Sequence, residues 1–180
     1  FCPRGYDPIY NQFLIIRFIN KNIFQLKNFK FVFSGSFHKE DYDLIKKFIK
    51  KKNLKSKIIL LKHLKKNEYK KYLVNSFLVI SASRSDAGLS SSIAEAMSLK
   101  RIVLCTKNRD NPYWIKDGVN GFLFNDNDPN SFKNKFFKIC NLSNKSLNLI
   151  SIKARETQYK KNNFQTEMSK AEQIYFMISS

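Results

Sequence analysis

Short apolar runs alternate with longer segments of helical periodicity along most of the chain, and this alternation restricts the fold more than any other feature. Phe29 to Ser34 (FKFVFS) reads as a buried strand that stops at Gly35. Asp41 to Lys52 follows, with Leu44, Ile45, Phe48 and Ile49 at helical spacing. Lys57 to Leu61 (KIILL) is the next strand, and Lys66 to Asn75 the next helix, with Tyr69, Tyr72 and Leu73 on one face. Phe77 to Ala82 (FLVISA), the helix Ser90 to Leu99, and Arg101 to Cys105 (RIVLC) repeat the pattern. The strands are apolar at consecutive positions, as a sheet covered by helices on both faces requires. The expectation is an α/β fold with a Rossmann-like, doubly wound parallel sheet. A helix from Tyr10 to Asn20 stands near the front, preceded by Phe1-Cys2-Pro3, which reads as the stub of a first strand. Asp117-Gly118 and Asn120-Gly121 are turn signals around a short extended piece, Phe122 to Phe124. From Pro129 the pattern is helical, ending in Thr166 to Met177.

Composition narrows the class. The chain has 180 residues, enough to bury one substantial core, and no Gly/Pro/Ser-rich linker divides it. It reads as a single domain over 1–180 with a helical tail from about residue 150. Five glycines and four prolines exclude collagen-like and low-complexity classes. Cys2, Cys105 and Cys140 lie far apart without CxxC spacing, so they read as free thiols in a reducing compartment and not as a zinc site. No apolar run reaches the roughly 18 residues of a membrane span. The net charge is +19, but 27 Lys stand against 6 Arg, and 19 Asn against 6 Ala. Lys and Asn rising together while Arg and Ala fall has the character of a low-GC coding bias. Residues 39–71 carry a local net of +9, from 13 Lys against four acidic side chains. Three readings of that charge stay open: a solvated face, attraction to an anionic membrane or substrate, and nucleic-acid binding. Phe29, Phe31, Phe33, Phe77 and Phe122 fall at core-like positions, which argues against a base-stacking surface.

Ser83 to Met97 (SRSDAGLSSSIAEAM) is the segment with chemistry. A buried strand runs through a polar turn into a helix. Ligands of open α/β sheets bind at the carboxyl ends of the strands, and a helix that starts there turns N–H groups and a positive dipole end toward them. Gly88 would allow a phosphate close to the backbone, and Ser90 or Ser91 would cap the helix or donate hydroxyls. An ordinary serine cap before a packed helix accounts for the same letters. Glu95, in the second turn among Ala94, Ala96 and Met97, suits two cis hydroxyls of a ribose. It equally suits an ion pair with a nearby Lys or Arg.

Residues 77–99 resemble the donor-site signature of GT-B glycosyltransferases of family 4, the glycosyl transferases group 1 class. Asp117-Gly118-Val119-Asn120-Gly121-Phe122-Leu123 is similar to that family's DGxNGxL turn. Cys2-Pro3-Arg4-Gly5 with Tyr10-Asn11 resembles the opening of the same domain, and Ala154-Arg155-Glu156, Phe164 and Ile174-Tyr175 its tail. The resemblance implies one half of a GT-B fold, the C-terminal donor domain, with the N-terminal acceptor domain outside this chain. It implies transfer of a sugar, with retention, from a UDP- or GDP-sugar to a glycan or lipid-linked acceptor, without a metal or other cofactor. Arg4 and Asp86 are the catalytic candidates it implies. Gly88, Leu89, Ser90 and Ser91 would cradle the diphosphate, Glu95 would hold the ribose, and His63, between Lys62 and Leu64, would lie near the base. The first Glu of the family's E-x7-E motif would stand at Ala87, one residue from Asp86, and the lysine often found after the arginine is replaced by Ile9. The setting implied is cytoplasmic, with possible peripheral contact at the inner face of the membrane, in cell-surface polysaccharide assembly. A degenerate, non-catalytic nucleotide-binding domain and a basic nucleic-acid-binding module are the rival readings.

Overall fold

The computed structural model describes residues 1–86, 88–108, 110–126 and 128–179. Its elements run α1 (Gln12–Lys21), β1 (Phe31–Phe33), α2 (Lys39–Lys51), β2 (Ile58–Leu60), α3 (Lys66–Val74), β3 (Leu78–Ser81), α4 (Ser91–Ser98), β4 (Ile102–Thr106), α5 (Asn111–Trp114), β5 (Phe122–Phe124), α6 (Pro129–Cys140), α7 (Asn144–Lys161) and α8 (Phe164–Ser179). β1 pairs in parallel with β2, and β4 pairs in parallel with both β3 and β5. Phe1–Pro3 joins the two groups. Cys2 N donates to Val32 O at 2.8 Å and Cys2 O accepts from Ser34 N at 3.1 Å. On the other side Phe1 N donates to Leu78 O at 2.7 Å and Phe1 O accepts from Ile80 N at 2.9 Å. The lanes therefore run β2, β1, Phe1–Pro3, β3, β4, β5. That is the doubly wound order, and the winding reverses between Phe1–Pro3 and β3.

Side chains leave the strands alternately to two cores, as the pleat dictates. Phe31 and Phe33, Leu78 and Ile80, Ile102 and Leu104, and Phe122 and Phe124 face one core, closed by α1, α2 and α6. Val79, Val103, Cys105 and Leu123 face the other, closed by Leu73 of α3, Ile93, Ala96 and Met97 of α4, and Ala154 of α7. The first core is strongly aromatic: Phe18 meets Phe132 edge-on at 4.9 Å, and Phe132 meets Phe124 at 5.0 Å. Each side chain fully withdrawn from water there contributes roughly 1.5–3 kcal/mol. Cys2 and Cys105 are fully buried, and all three cysteines are free thiols. Burial pushes the Cys2 thiol up to about 11.

The predicted elements are all present, with ends shifted by a few residues. Three differences have physical causes. The helical tail expected from about residue 150 begins at Asn144, where the Ser143 hydroxyl accepts from Ser146 N at 3.2 Å and sets the start of α7. Leu44, assigned by periodicity to the buried face of α2, is 54% exposed, because only Ile45 and Ile49 of that helix are buried. Phe77 is not core: it is 45% exposed, and Phe29, against which it packs at 6.1 Å, is half-buried. Both line a cavity of about 780 Å³, which lies between Phe29–Val32 and Phe77–Ile80 beside Phe1.

The DGxNG turn is held by more than its glycines. Asp117 Oδ1 accepts from Leu123 N at 2.9 Å. Asn120 is buried: its Oδ1 accepts from Lys116 N at 2.7 Å, and its Nδ2 donates to Trp114 O at 3.0 Å and Thr157 Oγ1 at 2.9 Å. A Cβ on Gly121 would meet Val103 Cγ2 at 2.7 Å, so only glycine lets the turn lie this close to β4. Replacing Asn120 by Ala removes three part-buried hydrogen bonds from a buried side chain. It should lower the unfolding free energy in urea titrations by about 2–4 kcal/mol. A loss under about 0.5 kcal/mol, the range of an ordinary surface substitution, would rule out this fastening role.

Candidate functional site

Five loops meet at the carboxyl ends of the strands, around the point where the winding reverses. They are Pro3–Gly5, Ser34–Ser36 after β1, Leu61–Leu64 after β2, residues 82–86 and 88–90 after β3, and Lys107, Asn108 and Asp110 after β4. Their backbones are cross-braced. Gln12 Nε2 donates to Arg4 O at 2.7 Å and Gly5 O at 3.2 Å, which fixes the turn that carries Arg4. Thr106 Oγ1 and Asn108 Nδ2 both donate to Ser83 O, at 2.5 and 2.6 Å, and Asn111 Nδ2 donates to Thr106 O at 2.9 Å. The loops after β3 and β4 are thereby tied together.

Arg4 lies at this crossing. Its Nη2 donates to Asp86 Oδ1 at 2.5 Å, its guanidinium lies 4.6 Å from the Tyr10 ring centroid, and its Nε is buried without a hydrogen-bond partner. The two catalytic candidates of the sequence are thus an ion pair, with the Asp86 side chain 6% exposed. Arg4, Tyr10, Ser36, His63 and Tyr69 line a cavity of about 280 Å³. His63 itself is exposed at its rim.

The start of α4 has the expected form with one change. Ser90 is the N-cap residue in extended conformation, and its carbonyl accepts from Ile93 N and Ala94 N at 3.0 Å. Its hydroxyl does not cap the helix; it lies 3.4 Å from Ser92 Oγ, so no side-chain cap takes the first-turn N–H groups. Ser91 is exposed. Gly88 has φ +74 and open space where a Cβ would stand, a conformation and clearance that suit close approach of an anion. Its amide donates to Asp110 Oδ2 at 2.8 Å. Ala87, the departure from the family motif, lies outside the described residues.

Glu95 is exposed on α4 and lines a shallow cavity of about 540 Å³ with Leu89, Ser91 and Asn162. Among the described residues it has no ion pair, so the alternative of a Lys or Arg partner is not realised. Its neighbour is Tyr69, whose hydroxyl is buried and makes no hydrogen bond of normal geometry. Burial first, then the charge of Glu95, push the Tyr69 phenol well above its usual range, and Arg4 opposes them. Tyr69 is therefore electrically linked to both Arg4 and Glu95. The structure places Arg4 and His63 around one hollow with Tyr69, and Leu89, Ser91 and Glu95 around a second.

Sequence reasoning did not single out Gln12, Tyr69, Asn108 or Asp110 as site residues. Tyr69 read as one apolar position of a helical face, and its hydroxyl gave no signal. Asn108 and Asp110 belong to a polar run with no periodicity, so only their placement beside Ser83 and Gly88 reveals them. No group of three or more His, Cys, Asp or Glu side chains converges among the described residues. Among them, no helix is long and apolar enough to cross a membrane.

Comparison with known proteins bears on the fold and the family. No curated protein matches the chain in sequence. Among solved structures, a glycosyltransferase from Rickettsia africae superposes with a TM-score of 0.86 at 20% identity, over 99% of this chain and 47% of that one. HepE of Anabaena in complex with UDP and glucose gives 0.81 at 17% identity, over 100% of this chain and 48% of that one. The C-terminal domain of the group 1 family glycosyl transferase LpcC from Francisella tularensis gives 0.78 at 19% identity, over 91% and 85%. The chain thus spans about half the length of the Rickettsia and Anabaena proteins and nearly all of the isolated Francisella domain. The fold is that of a GT-B C-terminal domain. Residues 7–157 match the family described as glycosyl transferases group 1, and the chain belongs to that family.

Proposed function

We propose that this domain binds a nucleoside diphosphate sugar and is the donor half of a retaining glycosyltransferase of hexosyltransferase type. The observation that carries the reading is the Arg4–Asp86 pair ahead of the uncapped start of α4, at the point where the sheet reverses its winding. Glu95 accepts the two ribose hydroxyls, and its lack of an ion pair among the described residues supports that role. The amides at the start of α4 and the Arg4 guanidinium receive the diphosphate, and His63 lies toward the base. HepE was solved with UDP-glucose, which favours a uridine donor over GDP here.

Transfer breaks the bond from the anomeric carbon to the phosphate oxygen, and the electron pair leaves with the nucleoside diphosphate. Arg4 and the α4 amides face that growing negative charge and stabilise it without reorganising. Asp86, held by Arg4, lies on the side where the sugar would rest. These groups supply the electrostatics, so we propose no metal and no other cofactor. The acceptor, a glycan or a lipid-linked sugar of cell-surface polysaccharide assembly, binds chiefly to the half of the enzyme outside this chain. The enzyme works in the cytoplasm, where the exposed lysines of residues 39–71 draw it to the anionic inner face of the membrane.

Thermal unfolding with UDP, GDP and CDP, at low salt and at about 0.3 M, tests the reading. One base should stabilise the protein by about 2.7 kcal/mol at roughly 100 times its dissociation constant, at both salt levels. Equal shifts that vanish with salt would reduce the site to a basic surface that attracts anions, including nucleic acid. Glu95→Ala should weaken that binding by about 1–3 kcal/mol and leave the melting temperature of the free protein in place. The 180-residue chain should bind nucleotide without transferring sugar, because acceptor-side groups come from the other half. Sugar transfer by this chain alone, followed by release of labelled UDP in the presence of acceptor, would refute that division of labour.

A further inference from the structure

The groups assigned to the donor's diphosphate both hold carboxylates in this structure. Arg4 holds Asp86 at 2.5 Å, and the Gly88 amide holds Asp110 Oδ2 at 2.8 Å. Asp86 is a neighbour in the same loop. Asp110 comes from another loop, 22 residues along the chain, and its placement has no local explanation. It is the N-cap residue of α5, yet its side chain does not cap that helix. The backbone around it is fixed by others: Lys107 N donates to Phe124 O at 2.6 Å, Asn111 N to Asn108 O at 3.0 Å, and Asn111 Nδ2 to Asn108 Oδ1 at 2.8 Å. Asp110 is exposed, and its carboxylate reaches across to the amide of Gly88, a residue in the left-handed region at φ +74.

We propose that Asp110 is an internal competitor for the donor's diphosphate, and that its displacement from the Gly88 amide sets the affinity of the site. The proposal rests on the nucleotide-binding reading above. A phosphate oxygen and a carboxylate oxygen ask the same thing of a backbone N–H, a short charge-assisted hydrogen bond. They cannot share it, and their like charges repel across the few ångströms between them. Binding of a donor must therefore swing the Asp110 side chain away from this amide, while the backbone that carries it stays fixed. In the ligand-free protein the same contact closes the loop after β3 against the loop after β4. It adds to the Thr106 and Asn108 bonds that already tie these loops together, and the ligand that breaks it is the ligand that replaces it.

The test compares the wild type with Asp110→Asn and Asp110→Ala by calorimetry, with inorganic pyrophosphate and with UDP as probes. The amide resonance of Gly88 is followed in a ¹⁵N-labelled sample. Both variants should bind pyrophosphate and UDP roughly tenfold more tightly, the scale of one removed charge-assisted bond. The Gly88 amide should move upfield in the variants and return downfield when either anion is added. Unchanged affinity for both probes would overturn the proposal, as would a Gly88 amide that the variants leave in place. Tighter pyrophosphate binding with no UDP binding in any form would uphold the competitor and defeat the nucleotide reading. Ala beside Asn guards against an amide side chain that merely takes over the bond.

Discussion

Three residues at the front of the chain hold the two halves of the sheet together. Phe1–Pro3 is hydrogen-bonded to β1 through Cys2 and to β3 through Phe1, and no other described strand touches both. Everything in the crevice is referred to this join. Arg4 follows it directly, the loops after β1 and β3 flank it, and the helices on either face diverge from it. The reversal of winding is a consequence of the same join, because β1 and β3 leave it in opposite directions. A parallel sheet opens a gap between its covering helices at such a point, and the gap is where loops with free N–H groups converge.

The crevice is a place of paired charges in a protein with a large excess of positive ones. The lysines lie on helix surfaces such as α2, where Lys46, Lys47, Lys50 and Lys51 are all exposed. Within the crevice, Arg4 is neutralised by Asp86, the Gly88 amide is engaged by Asp110, and the Tyr69 phenol lies beside Glu95. The acidic side chains are few, 14 in the whole chain, and three of them are at this edge of the sheet. Field strength at the site is therefore set by contacts a few ångströms long, and the diffuse basic surface contributes mainly at long range, where salt screens it.

Much of this was legible in the sequence, for reasons that are specific. Phe31–Phe33, Leu78–Ser81 and Ile102–Thr106 are strands because their apolar runs are short, two-sided and bounded by turn residues, and such runs have few alternatives. The start of α4 was legible because Gly88 and three serines ahead of an apolar helix make a local signal. Phe77 and Leu44 were misjudged as core because side-chain hydrophobicity does not report what lies opposite. Phe77 borders a cavity, and Leu44 is one step off the buried stripe of its helix. Asp110 and Tyr69 escaped because their roles depend on partners 22 and 26 residues away, Gly88 and Glu95, and no periodicity encodes such a pairing.

Gly121 carries a last consequence, for the gene more than for the protein. Every codon one nucleotide away from a glycine codon that still encodes another residue specifies a side chain with a Cβ. Here that atom would collide with Val103 and Ile115, at 2.7 and 3.0 Å. A chain this rich in lysine and asparagine keeps only five glycines. At this one, mutational drift meets a wall of volume: no single-step neighbour in the genetic code fits, so the position has nowhere to go.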